Sequence, residues 1–203
     1  MKETEVKLKI SNRVRLRTAL RRLGWRVARR LCHERNVVYD RGGDSWLAAG
    51  RLLRVRAAGS QCLLTVKLPV AKPPAPRQGL HKVREELEIE VSDGKQLRRV
   101  LEAMDFRPAW EYEKYRTEFG KAGERGKILL DQTPVGDYLE LEGAPRWIDQ
   151  TAAELGFSKR DYIVETYRGL FVEYCKATGS KARDMLFGAQ GLRTSPRAGS
   201  NER

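Results

Sequence analysis

The sequence predicts an α+β fold dominated by β-strands, closed into a barrel with a polar lumen and with amphipathic helices packed on its outside. Three observations predict it. Seven or eight stretches alternate charged with aliphatic residues at a period of two, which puts the charges on one face of a strand and the aliphatics on the other. Acidic pairs occupy some of these stretches and basic pairs occupy others, at the same i, i+2 spacing. A solvated sheet face ordinarily mixes Lys, Glu, Thr, Ser and Gln, whereas segregated pairs suit a shared interior. Finally, the intervening stretches carry apolar residues at helical spacing and can cover the aliphatic outer faces.

Residues 2–10 form the first strand, with Glu3, Glu5, Lys7 and Lys9 on one face and Val6, Leu8 and Ile10 on the other. Ser11 or Asn12 can cap a helix expected to run through about Leu31, since Val14, Leu20, Leu23 and Val27 fall near helical spacing. Its opposite side, with Arg13, Arg17, Arg21, Arg22, Arg29 and Arg30, is most simply a solvated face rather than a nucleic-acid stripe. Residues 35–39 are a short strand and 40–44 a turn.

Gly50 opens a strand that sets Arg54 and Arg56 opposite Leu53 and Val55. After a turn at 57–60, residues 61–68 place Thr65 and Lys67 against Leu64, Val66 and Leu68. The Pro-rich connection at 69–76 is a loop of polyproline character. Residues 83–91 then alternate Arg84, Glu86, Glu88 and Glu90 with Leu87, Ile89 and Val91. Ser92 or Asp93 caps a second helix to about Met104, striped by Leu97, Val100, Leu101 and Met104.

Residues 110–119 set Lys114, Arg116 and Glu118 opposite Tyr115, Thr117 and Phe119. A turn-rich link at 120–126 leads to a strand at 127–131, and a turn at 133–136 leads to the strand carrying Glu140 and Glu142 opposite Leu139 and Leu141. Helices around 148–155 and 159–174 close a domain spanning 1–175. The Gly/Ser/Ala-rich remainder, 176–203, has six basic residues against two acidic ones and is expected to be a disordered tail.

The 203 residues suit one such domain, and the 40% hydrophobic content suffices for a core despite 33% charged residues. A net charge of +13 favours polyanionic partners without choosing among them. Cys32, Cys62 and Cys175 fit neither a disulfide framework nor a metal-binding spacing, which favours a reducing compartment. Glu3 and Glu5 stand where a signal peptide needs an apolar run, and no stretch of 18 apolar residues occurs. The expectation is a cytoplasmic protein with no membrane partner. A homodimer is compatible with outer aliphatic faces that exceed what the helices cover, and nucleic-acid contact is expected only weakly, through the basic tail.

So many charges in a partly desolvated lumen must compensate one another or a ligand. A polyphosphate with a hard metal satisfies both signs. Glu3, Glu5, Glu140 and Glu142 suit Mg²⁺ or Mn²⁺, which take oxygen ligands and bridge phosphate oxygens. Arg54, Arg56, Arg84 and Arg116 can clasp phosphate bidentately, and Lys7, Lys67 and Lys114 can act as point charges. No phosphate-binding Gly-rich loop or kinase signature is present.

Taken in order, Glu3, Glu5 and Lys7, then Gly50 with Arg54 and Arg56, Thr65 with Lys67, Arg84 with Glu86 and Glu88, Lys114 with Arg116, and Gly136 with Glu140 and Glu142 resemble the CYTH superfamily, the triphosphate tunnel metalloenzymes. The resemblance covers roughly residues 1–175. It implies an eight-stranded antiparallel tunnel that binds a triphosphate inside, with Mg²⁺ or Mn²⁺ on acidic residues, as in class IV adenylate cyclases, thiamine triphosphatases and inorganic triphosphatases. It also implies Asp131 as a further metal-side carboxylate. Two stretches depart from the family pattern. Residues 41–45 replace a Thr-Pro-containing turn at the tunnel mouth, and Asp161 precedes Tyr162 where many members have Ser-Tyr.

The expected activity is metal-assisted hydrolysis of tripolyphosphate or a small organic triphosphate such as thiamine triphosphate, with Lys7, Glu86 and Glu88 as the catalytic set. Water would be the nucleophile, polarised by metal or by Glu86 or Glu88. The alternative is a cyclase that turns ATP into cyclic AMP and pyrophosphate. A second alternative is a non-catalytic binder of polyphosphate or RNA that stacks bases on Trp25, Trp46, Trp110 or Trp147. Acidic pairs argue against the binder, since without metal they repel phosphate. The tryptophans sit at element ends, where a core or rim role suffices, and His33 and His81 lack metal spacing.

Overall fold

The computed structural model describes residues 2–70 and 80–195. Most of the Pro-rich connection and the last eight residues of the expected tail lie outside them. Eight strands, β1 (Lys2–Ile10), β2 (Arg26–Arg41), β3 (Leu52–Ala58), β4 (Gln61–Pro69), β5 (Lys82–Glu90), β6 (Phe106–Gly120), β7 (Lys127–Thr133) and β8 (Gly136–Glu142), close into one barrel in the order β1-β5-β4-β3-β2-β6-β7-β8. Every pairing is antiparallel. Four helices, α1 (Arg13–Arg22), α2 (Gly94–Ala103), α3 (Pro145–Glu154) and α4 (Tyr167–Thr178), pack around it.

The period-two pattern decides what faces out. Val6, Leu8, Ile128, Leu130, Leu139 and Leu141 form one outer cluster under α1 and α3, with Leu16, Leu20 and Ile148 as the helices' contribution. A second outer cluster lies under α2, where Leu97 and Leu101 meet Tyr39, Leu53, Val55 and Val66. The Asp93 carboxylate caps α2 by accepting from the Lys95 and Gln96 amides, both at 2.9 Å.

Three expectations are corrected. The first helix ends at Arg22 rather than near Leu31, because Gly24 adopts a left-handed φ of +89° and lets the Trp25 amide bond back to the Leu20 carbonyl at 2.9 Å. Residues 26–31 therefore begin β2, which is 16 residues long. The last helix begins at Tyr167, not near 159. A short 3-10 turn, Lys159–Asp161, precedes it, and the Thr166 hydroxyl caps it by accepting from the Gly169 amide.

The third correction concerns residues 176–195, which pack against the barrel rather than leaving it. Helix α4 continues to Thr178, and Gly179 ends it with φ +71°. Met185 then bonds through its backbone to Glu111 and Glu113 beside the first half of β6, a stretch that β7 does not reach. Met185 is fully buried, and the Arg193 side chain donates to Asp137 at 2.8 Å.

Helix α4 lies across one end of the barrel. Its Tyr167 and Phe171 pack on Val38, Trp110, Tyr112 and Tyr138, so that end of the interior is aromatic. The remainder of the interior carries most of the charged groups, with Leu63 and Leu129 among its uncharged lining residues.

Candidate functional site in the barrel lumen

The lumen encloses a cavity of about 810 Å³. Residues that share a strand face by parity meet there. Glu3, Glu5 and Lys7 line it from β1, Arg54 and Arg56 from β3, Lys67 from β4, and Glu86 and Glu88 from β5. Lys114 and Arg116 line it from β6, and Glu140 and Glu142 from β8. Of the candidate residues named from sequence, Arg84 and Asp131 are not among the lining side chains.

The five carboxylates assigned to metal divide into two groups. Glu3, Glu5 and Glu142 can bring one oxygen each within 4.8 Å of one another. They come together because Glu5 pairs with Glu142 across β1 and β8. Burial pushes the Glu3 carboxyl up to about 7, against Lys67, with Glu86, Glu5 and Glu142 adding to the rise. Burial likewise raises Glu142, helped by Glu140 and Glu5. Burial also disfavours the charged form of Glu5, but Lys7 and Lys82 outweigh it and hold that carboxyl well below the usual range. Crowded hard oxygens of this kind fit a divalent cation such as Mg²⁺ or Mn²⁺, whose charge would relieve their repulsion.

Asp131 and Glu140 are engaged differently. Asp131 is fully buried and accepts from Lys114 Nζ at 2.8 Å, from Arg116 at 2.7 and 2.6 Å, and from the Tyr167 hydroxyl at 2.6 Å. With four donors on two oxygens, it orients the basic groups rather than reaching into the cavity. Glu140 pairs with Arg116 and lies 3.4 Å from Lys7.

The basic side is held by a network of its own. Arg54 donates to the Tyr112 hydroxyl at 3.1 Å and to Thr65 at 3.2 Å, and Thr65 donates to Glu88 at 2.7 Å. The Nε atoms of Arg54 and Arg56 are buried without a hydrogen-bond partner among the described residues. Buried donors are ordinarily satisfied, so these two leave unmet hydrogen-bonding capacity on the basic side.

Lys82, Glu34 and Tyr167 are among the groups at or behind the lumen wall that sequence reasoning did not assign there. Lys82 lies one residue before the expected strand and donates to Glu5 at 2.9 Å. Glu34, 2% exposed, sits 3.8 Å from Arg56 and 3.6 Å from Lys114. Burial opposes its charge, but Lys114, Arg116 and Arg56 prevail and lower its pKa to about 2. Tyr167 places its ring 5.3 Å from Lys7 Nζ and 5.1 Å from Lys114 Nζ, so it buttresses both ammoniums. Parity was the available signal for Lys82, which is in phase with Glu86. Glu34 fell in the gap between an overlong helix and a strand begun too late.

Comparison with known proteins gives the same architecture. The model of the CYTH domain matches residues 1–167. A Vibrio parahaemolyticus protein provisionally assigned as an adenylate cyclase is 18% identical with a TM-score of 0.71, over 84% of this chain and 97% of that one. The PH1012 protein of Pyrococcus horikoshii is 21% identical with a TM-score of 0.67, over 83% and 98%. A Hippeastrum protein, HpAC1, provisionally an adenylyl cyclase and described as having a dominant triphosphatase activity, is 17% identical with a TM-score of 0.57, over 84% and 95%. At these identities the likeness is one of fold. No curated protein matches the chain.

Proposed function

The chain belongs to the CYTH domain family, and on that premise we propose that it is a metal-dependent triphosphatase. Its substrate would be inorganic tripolyphosphate or a small organic triphosphate such as thiamine triphosphate, hydrolysed inside the barrel. One observation carries the reading. Three crowded carboxylates, Glu3, Glu5 and Glu142, share a single cavity with the donors Arg54, Arg56, Lys114 and Arg116. Cation and polyanion subsites thus adjoin without a nucleotide-binding loop.

Glu3, Glu5 and Glu142 would hold Mg²⁺ or Mn²⁺, which when bound neutralises charge developing on the phosphoryl oxygens. Arg54 and Arg56 bind and orient the phosphate chain through their forked donors, with Tyr112 and Thr65 fixing the guanidinium of Arg54. Lys7 and Lys67 add point charges from β1 and β4. Asp131 and Tyr167 hold Lys114 and Arg116 at the wall, so their donors need no reorganisation on binding. Glu86, adjacent to Glu3 and 3.0 Å from Lys67, and Glu88, bonded to Thr65, are the carboxylates available to take a proton from an attacking water.

Phosphorus NMR of the purified chain with tripolyphosphate, thiamine triphosphate and ATP, in Mg²⁺ and in Mn²⁺, tests the proposal. Release of orthophosphate is the expected result. Pyrophosphate with cyclic AMP from ATP would establish the cyclase in its place. Polyanion binding that chelator leaves untouched, with no turnover, would establish a binder.

A further inference from the structure

The lysines of the lumen do not all share one kind of partner. Lys114 and Arg116 rest on Asp131, which is fully buried and outside the grouped carboxylates. By contrast, the ammonium of Lys82 reaches from β5 to Oε1 of Glu5 on the neighbouring β1, at 2.9 Å, and its side chain is 18% exposed to the cavity. That same Oε1 accepts from Lys7 at 3.0 Å. Lys7 has a second carboxylate, Glu140, at 3.4 Å. Lys67 likewise lies within bridging distance of both Glu3 and Glu86. Among the described residues, the carboxylate that Lys82 bridges is Glu5, and Glu5 belongs to the group that fits a divalent cation.

A carboxylate oxygen that faces two ammoniums cannot also face a cation without strong repulsion between the positive charges. Metal binding and the Lys82–Glu5 contact therefore compete for the charge of the same carboxylate. Resting on the proposed triphosphatase site, we propose that Lys82 is a phosphate ligand whose availability depends on the metal. Glu5 neutralises Lys82 until Glu5 is engaged by the cation, and the freed ammonium then turns to a phosphoryl oxygen. The handover makes phosphate affinity conditional on metal through a residue that need not touch the metal itself.

Calorimetry on the full chain tests this with Mn²⁺ and imidotriphosphate, a tripolyphosphate analogue with nitrogen bridges that resist hydrolysis. In Lys82→Gln, Mn²⁺ alone should bind about threefold tighter, because a competing positive charge is gone, while imidotriphosphate at saturating Mn²⁺ should bind about tenfold more weakly, as for one lost charge-assisted hydrogen bond. In chelator the analogue should bind parent and variant within about twofold of each other, and Lys82→Arg should recover most of the affinity seen with Mn²⁺. Equal weakening with and without Mn²⁺ would make Lys82 a constitutive ligand and overturn the handover. A Lys82→Gln variant indistinguishable from the parent, in a chain that binds both probes, would remove Lys82 from the site while sparing the triphosphatase reading. A parent chain that binds neither probe would remove both.

Discussion

Arg116 and Asp131 face each other from β6 and β7 and are joined by two parallel hydrogen bonds, Nε to Oδ1 at 2.7 Å and Nη2 to Oδ2 at 2.6 Å. Their strands pair them in register, so the fork is set by the sheet rather than by loop geometry. It accounts for why the barrel tolerates a buried guanidinium beside Lys114.

Asp131→Asn should therefore act on stability before it acts on metal. Leaving Arg116 and Lys114 buried with less compensation should cost roughly 3–5 kcal/mol, read from urea unfolding. Mn²⁺ affinity should stay within about threefold of the parent, whereas Glu142→Gln should weaken it by about tenfold or more with a stability change of about 1 kcal/mol or less. Loss of Mn²⁺ binding in Asp131→Asn without loss of stability would return Asp131 to the metal side.

Glu34 gives a pH signature. Its pKa is lowered from 4.5 to about 2 in the folded chain, so the unfolded state binds more protons between these values. The stabilisation is present above about pH 4.5 and is lost as the pH falls through about 2, and it amounts to roughly 3 kcal/mol. The slope of unfolding free energy against pH over that window should flatten in Glu34→Gln. An unchanged slope would show that Lys114 and Arg56 do not favour the charged form.

The segment after α4 should behave as part of the fold. Met185 is fully buried and Leu192 nearly so, and Met185→Ala should cost about 2–5 kcal/mol. Truncation after Thr178 should lower the melting temperature further and expose the flank of β6. A truncated chain that melts with the parent would show that the segment merely rests on the surface.

Tyr167 should report on the positioning of the basic wall. Tyr167→Phe keeps the ring beside Lys7 and Lys114 but removes the donor to Asp131, at a cost of about 1–3 kcal/mol. In steady-state kinetics the loss should fall on kcat/KM for the triphosphate, and Tyr167→Leu should be worse because both cation–π contacts go as well. Equal behaviour of the two variants would assign the ring no role.

The parity of charged residues made most of the lumen legible. In Glu3, Glu5 and Lys7, in Arg54 and Arg56, in Thr65 and Lys67, and in Glu140 and Glu142, the strand period alone fixes which side chains share an interior. It cannot say which of them pair. The division of the carboxylates into Glu3, Glu5 and Glu142 on one side and Asp131 and Glu140 on the other depends on cross-strand register and barrel closure. Lys82 escaped because it begins its strand, where alternation is shortest, and Glu34, in the middle of β2, escaped because the expected helix ran to about Leu31 and the expected strand began only at Arg35. Gly24 was a readable stop signal for α1, but arginines and Val27 continued the helical spacing past it. Residues 179–195 looked like a tail because Met185, Leu186, Phe187 and Leu192 are too few to show a period. Their anchoring comes instead from backbone bonds to β6 and from the Asp184 carboxylate, which accepts from the Glu111 amide at 2.8 Å.

The central claim is that the grouped carboxylates and the basic wall form one metal-assisted triphosphate site. Its most direct test is tripolyphosphate turnover by the parent chain and by Glu142→Gln, each with Mn²⁺, with Mg²⁺ and with chelator. The parent should release orthophosphate only with metal, and Glu142→Gln should fall by about a hundredfold or more. Hydrolysis that persists in chelator, or parent and variant turning over alike, would contradict the account.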